Sequence, residues 1–388
     1  MRILVGADAP PNPDSGAAGT VVATNLALRT LGHEVEAFWD VDLAHRIRHW
    51  NLHYWLELPR EYRREVARRC SGKDYDVIQL SQPHAWMAAR DHQRRRRRGI
   101  IVNRSHGLEC MADHALARGH RELGMPANRF PRNLLAPALQ RRLHASIDRV
   151  VRFSDGLIVP AQDIKDHLVA HHGADPERVA VIHHGVPEAF LRTPVRPMSV
   201  ERLSRMLCVA QYSFIKGPQF LARAASQVLR CNSRASLTWV CSRVHHAEAR
   251  SLFPSELQPR VTLLDWQAQD ELIALYDSHG IGLAHSLYEG AAKACAEAMA
   301  RGQVLVSSAV GAVKDHVRHG ENGFVVDVGD WQGMAKAALA VMDDLPRAQR
   351  IAQAARRTMS RMSWDACAQS AVKFYERLLV MRQPAVLA

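Results

Sequence analysis

The chain has 388 residues, 47% apolar and 23% charged, with a formal charge of +12. That is more than one ordinary core accommodates, so two domains are expected, with the composition of a globular protein. No run of about 18 apolar residues is present to span a bilayer, and the seven scattered cysteines of the sequence have no C-x-x-C spacing that would suggest a zinc site or disulfide frame. The excess positive charge points to anionic partners; nucleic acid is disfavoured because no helix-turn-helix, zinc-finger or aromatic RNA-binding pattern occurs.

Strand-like and helix-like stretches alternate from the first residues onward, which predicts α/β architecture with parallel sheets. The start, Met1-Arg2-Ile3-Leu4-Val5-Gly6, enters a strand without a leader's apolar stretch, so a cytoplasmic location is expected. In the first half, strands are predicted over Ile3–Ala7, Glu34–Phe38, Val77–Leu80, Ile100–Asn103, Gly156–Pro160 and Val179–Ile182, with a helix over Val21–Leu31. The stretch Arg46–Trp55 mixes cations and aromatics and reads as an amphipathic surface helix or an acceptor contact at an anionic membrane face. Arg94–Arg98 reads as a solvated helix end. Pro194 and Pro197, in an aperiodic stretch, mark a linker over 193–200 between domains at 1–192 and 201–363. The second half repeats the alternation, with strands at Arg205–Ala210, Leu237–Cys241, Val261–Leu264, Gly280–His285, Val304–Ser307 and Gly323–Asp327. A last amphipathic helix runs from about Trp364 to Met381, within 364–388.

Ligands of such sheets bind beyond the carboxyl ends of the strands, so the loops there carry the candidates. Glu289 falls in the turn after a strand and Glu297 in the following Ala-rich helix. Two fully helical residues eight apart point in different directions; with Glu289 in the turn, both carboxylates can address one ligand lying across the helix N-terminus. That end offers unpaired amides for a phosphate, here from Gly290, Ala291, Ala292 and Lys293. A carboxylate deeper in the helix can accept both hydrogens of a ribose diol. The loop after the first strand contains Ser15-Gly16, where glycine permits close backbone approach to a ligand. His106 follows the fourth strand, His84 the third, and the loop after the seventh carries Gln211 and Lys216.

The block Ser286-Leu287-Tyr288-Glu289-Gly290 to Glu297-Ala298-Met299-Ala300-Arg301-Gly302 resembles the E-x7-E signature of retaining GT-B glycosyltransferases, in particular family 4. Gly320-Glu321-Asn322-Gly323, Gly32-His33-Glu34-Val35 and Ser105-His106-Gly107-Leu108-Glu109 extend the likeness over most of the chain. The resemblance implies a GT-B fold: two Rossmann-like doubly wound domains facing each other across a cleft, with the C-terminal helix crossing back to the first. It implies a retaining, metal-independent transferase without cofactor. The donor would be a nucleotide sugar held by the second domain, and the acceptor an anionic or lipid-linked molecule on the first. By the same likeness Glu297 binds the ribose, Lys216 and the amides of residues 290–293 bind the diphosphate, Glu289 binds sugar hydroxyls, and His106 positions the sugar. Gly16 then approaches the diphosphate or the acceptor, and His84 touches the acceptor or supports the site.

The chain departs from the family pattern at four places. Gln211 stands where arginine is usual, Ala291-Ala292 where Phe-Gly is common, Cys241-Ser242-Arg243 where a glycine-rich turn is usual, and Gly311-Ala312-Val313-Lys314-Asp315 where G-G-x-P-E is usual. Lys293 is a candidate to restore the charge that Gln211 lacks. The rival readings are a GT-B sugar-nucleotide epimerase and a non-catalytic GT-B binding protein.

Overall fold

The computed structural model describes residues 1–13, 16–81, 83–125 and 132–382, with side chains described outside 132–136. The twelve strands form two six-stranded parallel sheets. The first contains β1 (Arg2–Gly6), β2 (Glu34–Phe38), β3 (Val77–Ser81), β4 (Ile100–Arg104), β5 (Gly156–Val159) and β6 (Val179–Val181), in the order β2-β1-β3-β4-β5-β6. The second contains β7 (Arg205–Val209), β8 (Ser236–Val240), β9 (Val261–Leu264), β10 (Ile281–Ala284), β11 (Val304–Ser308) and β12 (Phe324–Val326), in the order β12-β11-β10-β7-β8-β9. Each sheet is covered by helices on both faces, which is why β3, β4 and β11 are buried along their whole length.

Two compact units result. One takes in Met1–Cys110, Asn128–Gly185 and the chain from Trp364; the other takes in Met111–Ala127 and Val186–Ser363. In the first, the helix Trp364–Arg382 lies against the sheet: Tyr375 donates to Gln79 Oε1 at 2.6 Å, and Arg382 pairs with Asp155 at 2.5 Å. These bonds satisfy polar groups that the strands bring into the interior.

In the second unit, the division falls at Gly185 and Val186, seven residues before the expected end of the first domain. Arg301, 0% exposed, explains this: it donates to the carbonyls of Phe190, Thr193 and Pro194 while pairing with Asp277 at 2.6 Å. The start of the segment read as an interdomain linker is thereby held by a buried guanidinium. Three more sequence expectations shift, and one holds. The first helix begins at Ala17, not Val21. Instead of a regular helix, Trp50–Leu52 forms one turn that passes into a π-turn over His53–Glu57, where Glu57 accepts from the amides of Arg46 and Ile47. The arginine run is an exposed helix end, as expected: it closes the helix Trp86–Arg94, with Arg96 left-handed at φ 48°. The helix after Glu289 begins only at Lys293 and runs to Ala300.

Candidate active site

In the second sheet β7 and β10 are neighbours, and the chain proceeds outward from β7 in one direction and from β10 in the other. Their carboxyl ends therefore form the switch point at which open α/β sheets bind ligands. The loop after β7 closes in a short turn, Phe214–Lys216, followed by left-handed Gly217 at φ 60°. A Cβ on Gly217 would lie 2.1 Å from the His285 carbonyl, so only glycine lets this loop meet the loop after β10. The two are stitched by the Leu287 amide donating to Ile215 O at 2.8 Å. Lys216 Nζ thereby comes to 2.5 Å from Glu289 Oε1, which also accepts from Ser286 Oγ at 2.7 Å. Both bonds fall on Oε1, and no described contact engages Oε2.

Glu289 and Gly290 are positioned from behind by Gly311, whose absent Cβ would meet their carbonyls at 2.3 and 2.4 Å and whose φ is 48°. The Ala312 amide donates to Gly290 O at 2.9 Å. Ala292, where the usual sequence has glycine, is left-handed at φ 49° and precedes the helix Lys293–Ala300. Lys293 occupies the first turn, beside the amides of the helix N-terminus, and reaches Glu297 at 3.7 Å. Glu297 is 5% exposed and accepts from Tyr276 Oη at 3.2 Å. Burial raises its pKa, opposed by the Lys293 charge and the Tyr276 hydroxyl. Lys216, Glu289, the 290–293 backbone and Glu297 thus form one cluster with two cations, two carboxylates and a helix N-terminus.

The remaining candidates lie in the first unit. Gly16 precedes the helix Ala17–Thr30, and a Cβ there would meet no protein atom within 4 Å, so the fold itself does not demand glycine. Its neighbour Ser15 lies outside the described residues, as does Gln82 beside His84. Thr20 Oγ1 donates to Gly16 O at 2.9 Å and lies 3.3 Å from His184 Nδ1. The His184 ring stands edge-on to His106 at 5.7 Å, so His184 joins Gly16 to His106 through Thr20. Burial, with Arg104 nearby, lowers the His106 pKa to about 3. His106 is therefore a neutral imidazole, a hydrogen-bonding group and not a general acid at physiological pH.

A second group joins the candidate His84 to residues that sequence reading did not connect with it. His84, stacked on Tyr54 at 4.7 Å, bonds Glu109 through Nε2 at 3.1 Å. Tyr62 donates to Asp8 at 3.4 Å, and burial raises the Asp8 pKa while the neighbouring His84 lowers it. Asp8, His84 and Glu109 follow β1, β3 and β4, the carboxyl edge of the first sheet. Their positions beyond strand ends were a usable signal; the pairing of His84 with a residue 25 positions away was not.

Comparison with known proteins supplies the remaining observation. Residues 15–190 match the family model described as Glycosyltransferase Family 4, and residues 204–344 match the model described as Glycosyl transferases group 1. Taken together the two matches span most of the chain, which is a glycosyltransferase resembling family 4. A D-inositol 3-phosphate glycosyltransferase of Rhodococcus jostii is 26% identical over 336 residues, covering 82% of this chain and 69% of that one. A glycogen synthase of Mycobacterium tuberculosis is 28% identical over 253 residues, covering 61% and 58%. Among solved structures, the sucrose-phosphate synthase of Thermosynechococcus elongatus superposes with TM-score 0.76 at 18% identity, covering 98% of this chain and 100% of that one. Anabaena HepE in complex with UDP and glucose gives 0.67 at 18% identity, covering 96% and 99%. The GT-B fold and glycosyl transfer from a nucleotide sugar are thereby established.

Within this glycosyltransferase, Gln211 is exposed at the start of the β7 loop, and no described side-chain contact joins it to the Lys216–Glu289 pair. The cations gathered at the switch point are Lys216 and Lys293. The altered turn after β8 brings His245 against Tyr212, with stacked rings 5.4 Å apart. No helix among the described residues is long and apolar enough to cross a membrane.

Proposed function

We propose that this glycosyltransferase is a retaining enzyme whose second unit holds a nucleoside-diphosphate sugar at the β7/β10 switch point. The carrying observation is Lys216 Nζ at 2.5 Å from Glu289 Oε1, beside the N-terminus of the helix bearing Glu297. Glu297 accepts the ribose hydroxyls, Lys216, Lys293 and the 290–293 amides hold the diphosphate, and Glu289 Oε2 accepts from a sugar hydroxyl. In transfer, the bond from the anomeric carbon to the β-phosphate oxygen breaks. The acceptor oxygen bonds that carbon on the same face, and its proton passes to the departing phosphate oxygen. Charge grows on that phosphate in the transition state, where fixed cations and amides are most effective. Lys216 and Lys293 supply that charge, so the step calls for no metal.

His106 offers a neutral nitrogen to a sugar hydroxyl, Gly16 leaves room for a ligand against the helix N-terminus, and His84–Glu109 binds acceptor hydroxyls. The charge of +12 supports an anionic acceptor; a phosphorylated polyol, as in the name of the Rhodococcus relative, is the class proposed. A cytoplasmic setting, with the acceptor presented at an anionic membrane face, accompanies this reading.

A thermal-shift screen with UDP, GDP, ADP and their sugars tests donor binding, because a ligand of the native state raises its melting temperature. Proton NMR of the product then reads the anomeric configuration. Inversion, or donor binding unchanged in Lys216→Ala, would overturn the proposal.

A further inference from the structure

Cys110, His167 and His172 converge in the first unit, and none of them is among the residues assigned above to donor or acceptor, although Cys110 follows Glu109 directly. Cys110 Sγ lies 3.6 Å from His167 Nε2 and 4.0 Å from His172 Nε2, and all three ligand atoms fall within 4.8 Å of one another. Among the described residues this is the one group of three such side chains whose ligand atoms converge. We propose that these residues bind one zinc ion, with the fourth position left to water.

Three observations support the assignment. The first is distance. Tetrahedral zinc sits about 2.3 Å from sulfur and about 2.0–2.1 Å from imidazole nitrogen, which sets a sulfur–nitrogen edge of about 3.6 Å. Of the two edges seen, 3.6 Å matches this value and 4.0 Å exceeds it by an amount that small side-chain rotations can close. The second is orientation. His172 Nδ1 lies 2.7 Å from Asp148 Oδ1, and a carboxylate there accepts the Nδ1–H hydrogen bond, leaving the Nε2 lone pair directed at the cysteine. A carboxylate behind the imidazole is the usual means of fixing a metal-binding tautomer. The third is rigidity. His167 and His172 stand on the helix Gln162–His172, stopped by left-handed Gly173, while buried Cys110 begins the helix Glu109–Glu122. A thiol has one proton and faces two imidazole nitrogens, whereas a thiolate on zinc meets both in a single arrangement.

Sequence spacing gives no hint of this group, because Cys110 is 57 and 62 positions from its partners. The consequence is local: a metal here clasps two helices together immediately beside Glu109, the partner of His84. The inference stands independently of the donor-site proposal.

The test uses the tag-free full chain, stripped with a chelator and titrated with zinc chloride by calorimetry, with metal content read by plasma emission. One zinc per chain is expected, and cobalt should give a thiolate-to-metal charge-transfer band with tetrahedral d–d intensity. Cys110→Ser should abolish the charge-transfer band and weaken zinc binding at least tenfold; His167→Gln and His172→Gln should remove stoichiometric binding. Cys231→Ser, at an exposed cysteine, should change nothing. Asp148 is 61% exposed at its side chain, so Asp148→Asn keeps the fold if the cysteine variant does not, and should weaken zinc about 10–100-fold. Absence of one-to-one binding in the parent, or affinity unchanged in Cys110→Ser or Asp148→Asn, would overturn the site and leave thiol–imidazole hydrogen bonding in its place.

Discussion

Lys216 Nζ and Glu289 Oε1 are 2.5 Å apart, although 73 residues separate them in the chain. The pair exists because Gly217 and Gly311 let three backbone segments approach more closely than any side chain would allow. The ammonium retains further N–H donors for a phosphate while it neutralises the carboxylate that would repel one. Lys216→Met should therefore lower kcat/KM for the nucleotide sugar by about 10²–10³-fold, the scale for removing a fixed group that stabilises transition-state charge. Glu289→Gln should preserve nucleoside-diphosphate affinity while reducing kcat. Steady-state kinetics with calorimetry of the bare nucleotide separates the two effects; equal loss of nucleotide affinity in both variants would contradict the division of roles.

Ala292 occupies a conformation that suits glycine. An L-residue in the left-handed region loses about 1–2 kcal/mol, and glycine's extra chain entropy costs about 0.5–1 kcal/mol in return. The Ala292 methyl is buried, and its loss removes about 0.8 kcal/mol of apolar burial at most. These opposing effects nearly cancel, so Ala292→Gly should change unfolding free energy by less than about 1 kcal/mol, the kind of difference thermal unfolding resolves. Activity should be retained, because the backbone path past the phosphates is already the one glycine adopts. A large loss of stability would show that methyl packing, and not backbone conformation, governs this position.

Much of this was legible in the sequence because the relevant signals are local. Each of the twelve strands was found within about two residues, since a parallel strand buried on both faces reads as a short continuous apolar run. Glu289 and Glu297 were legible from the turn-to-helix pattern together with the family likeness. What escaped was built from distant pairs. The hold of Arg301 on Thr193 spans 108 residues, so nothing near Pro194 in the sequence signals that this linker segment is held. Asp8, His84 and Glu109 each follow a different strand, and only strand order brings them together. The helix at Glu109–Glu122 divides between units after Cys110, and nothing in its periodicity marks that point.

Arg301 offers a stability test remote from catalysis. It makes a two-point pair with Asp277 and caps three carbonyls, with its own side chain 0% exposed. Removing one partner of a buried ion pair leaves the other charged and unpaired, at a cost of about 3–5 kcal/mol. Arg301→Met should lower the urea midpoint accordingly, and adding Asp277→Asn should recover part of the loss. A single-variant effect below about 1 kcal/mol would place the pair among weakly contributing surface bridges.

Acid sensitivity follows from the buried histidines. Burial lowers the pKa of His106 to about 3, and lowers those of His92 and His285 to about 4, the former also facing the Arg382 guanidinium. In the unfolded chain each returns to about 6.5. Between pH 6.5 and about 4 the unfolded chain therefore binds protons that the folded chain refuses, and stability falls as pH falls. The contribution is fully present above pH 6.5, and each histidine lost from it amounts to as much as about 1.4 kcal/mol per pH unit within the window. Asp8 and Glu297, raised by burial, act in the opposite direction. His279, also lowered by burial, adds to the same slope, so with these four histidines against two acids the melting temperature should drop steeply from pH 6.5 to 4.5, and His285→Asn should make that slope shallower. At the same time kcat/KM should show no inflection from His106 near 6.5, since its ring stays neutral throughout that range. Calorimetric melting across this interval decides the matter: a flat profile would mean that these rings accept protons in place, with water reaching them in the folded state.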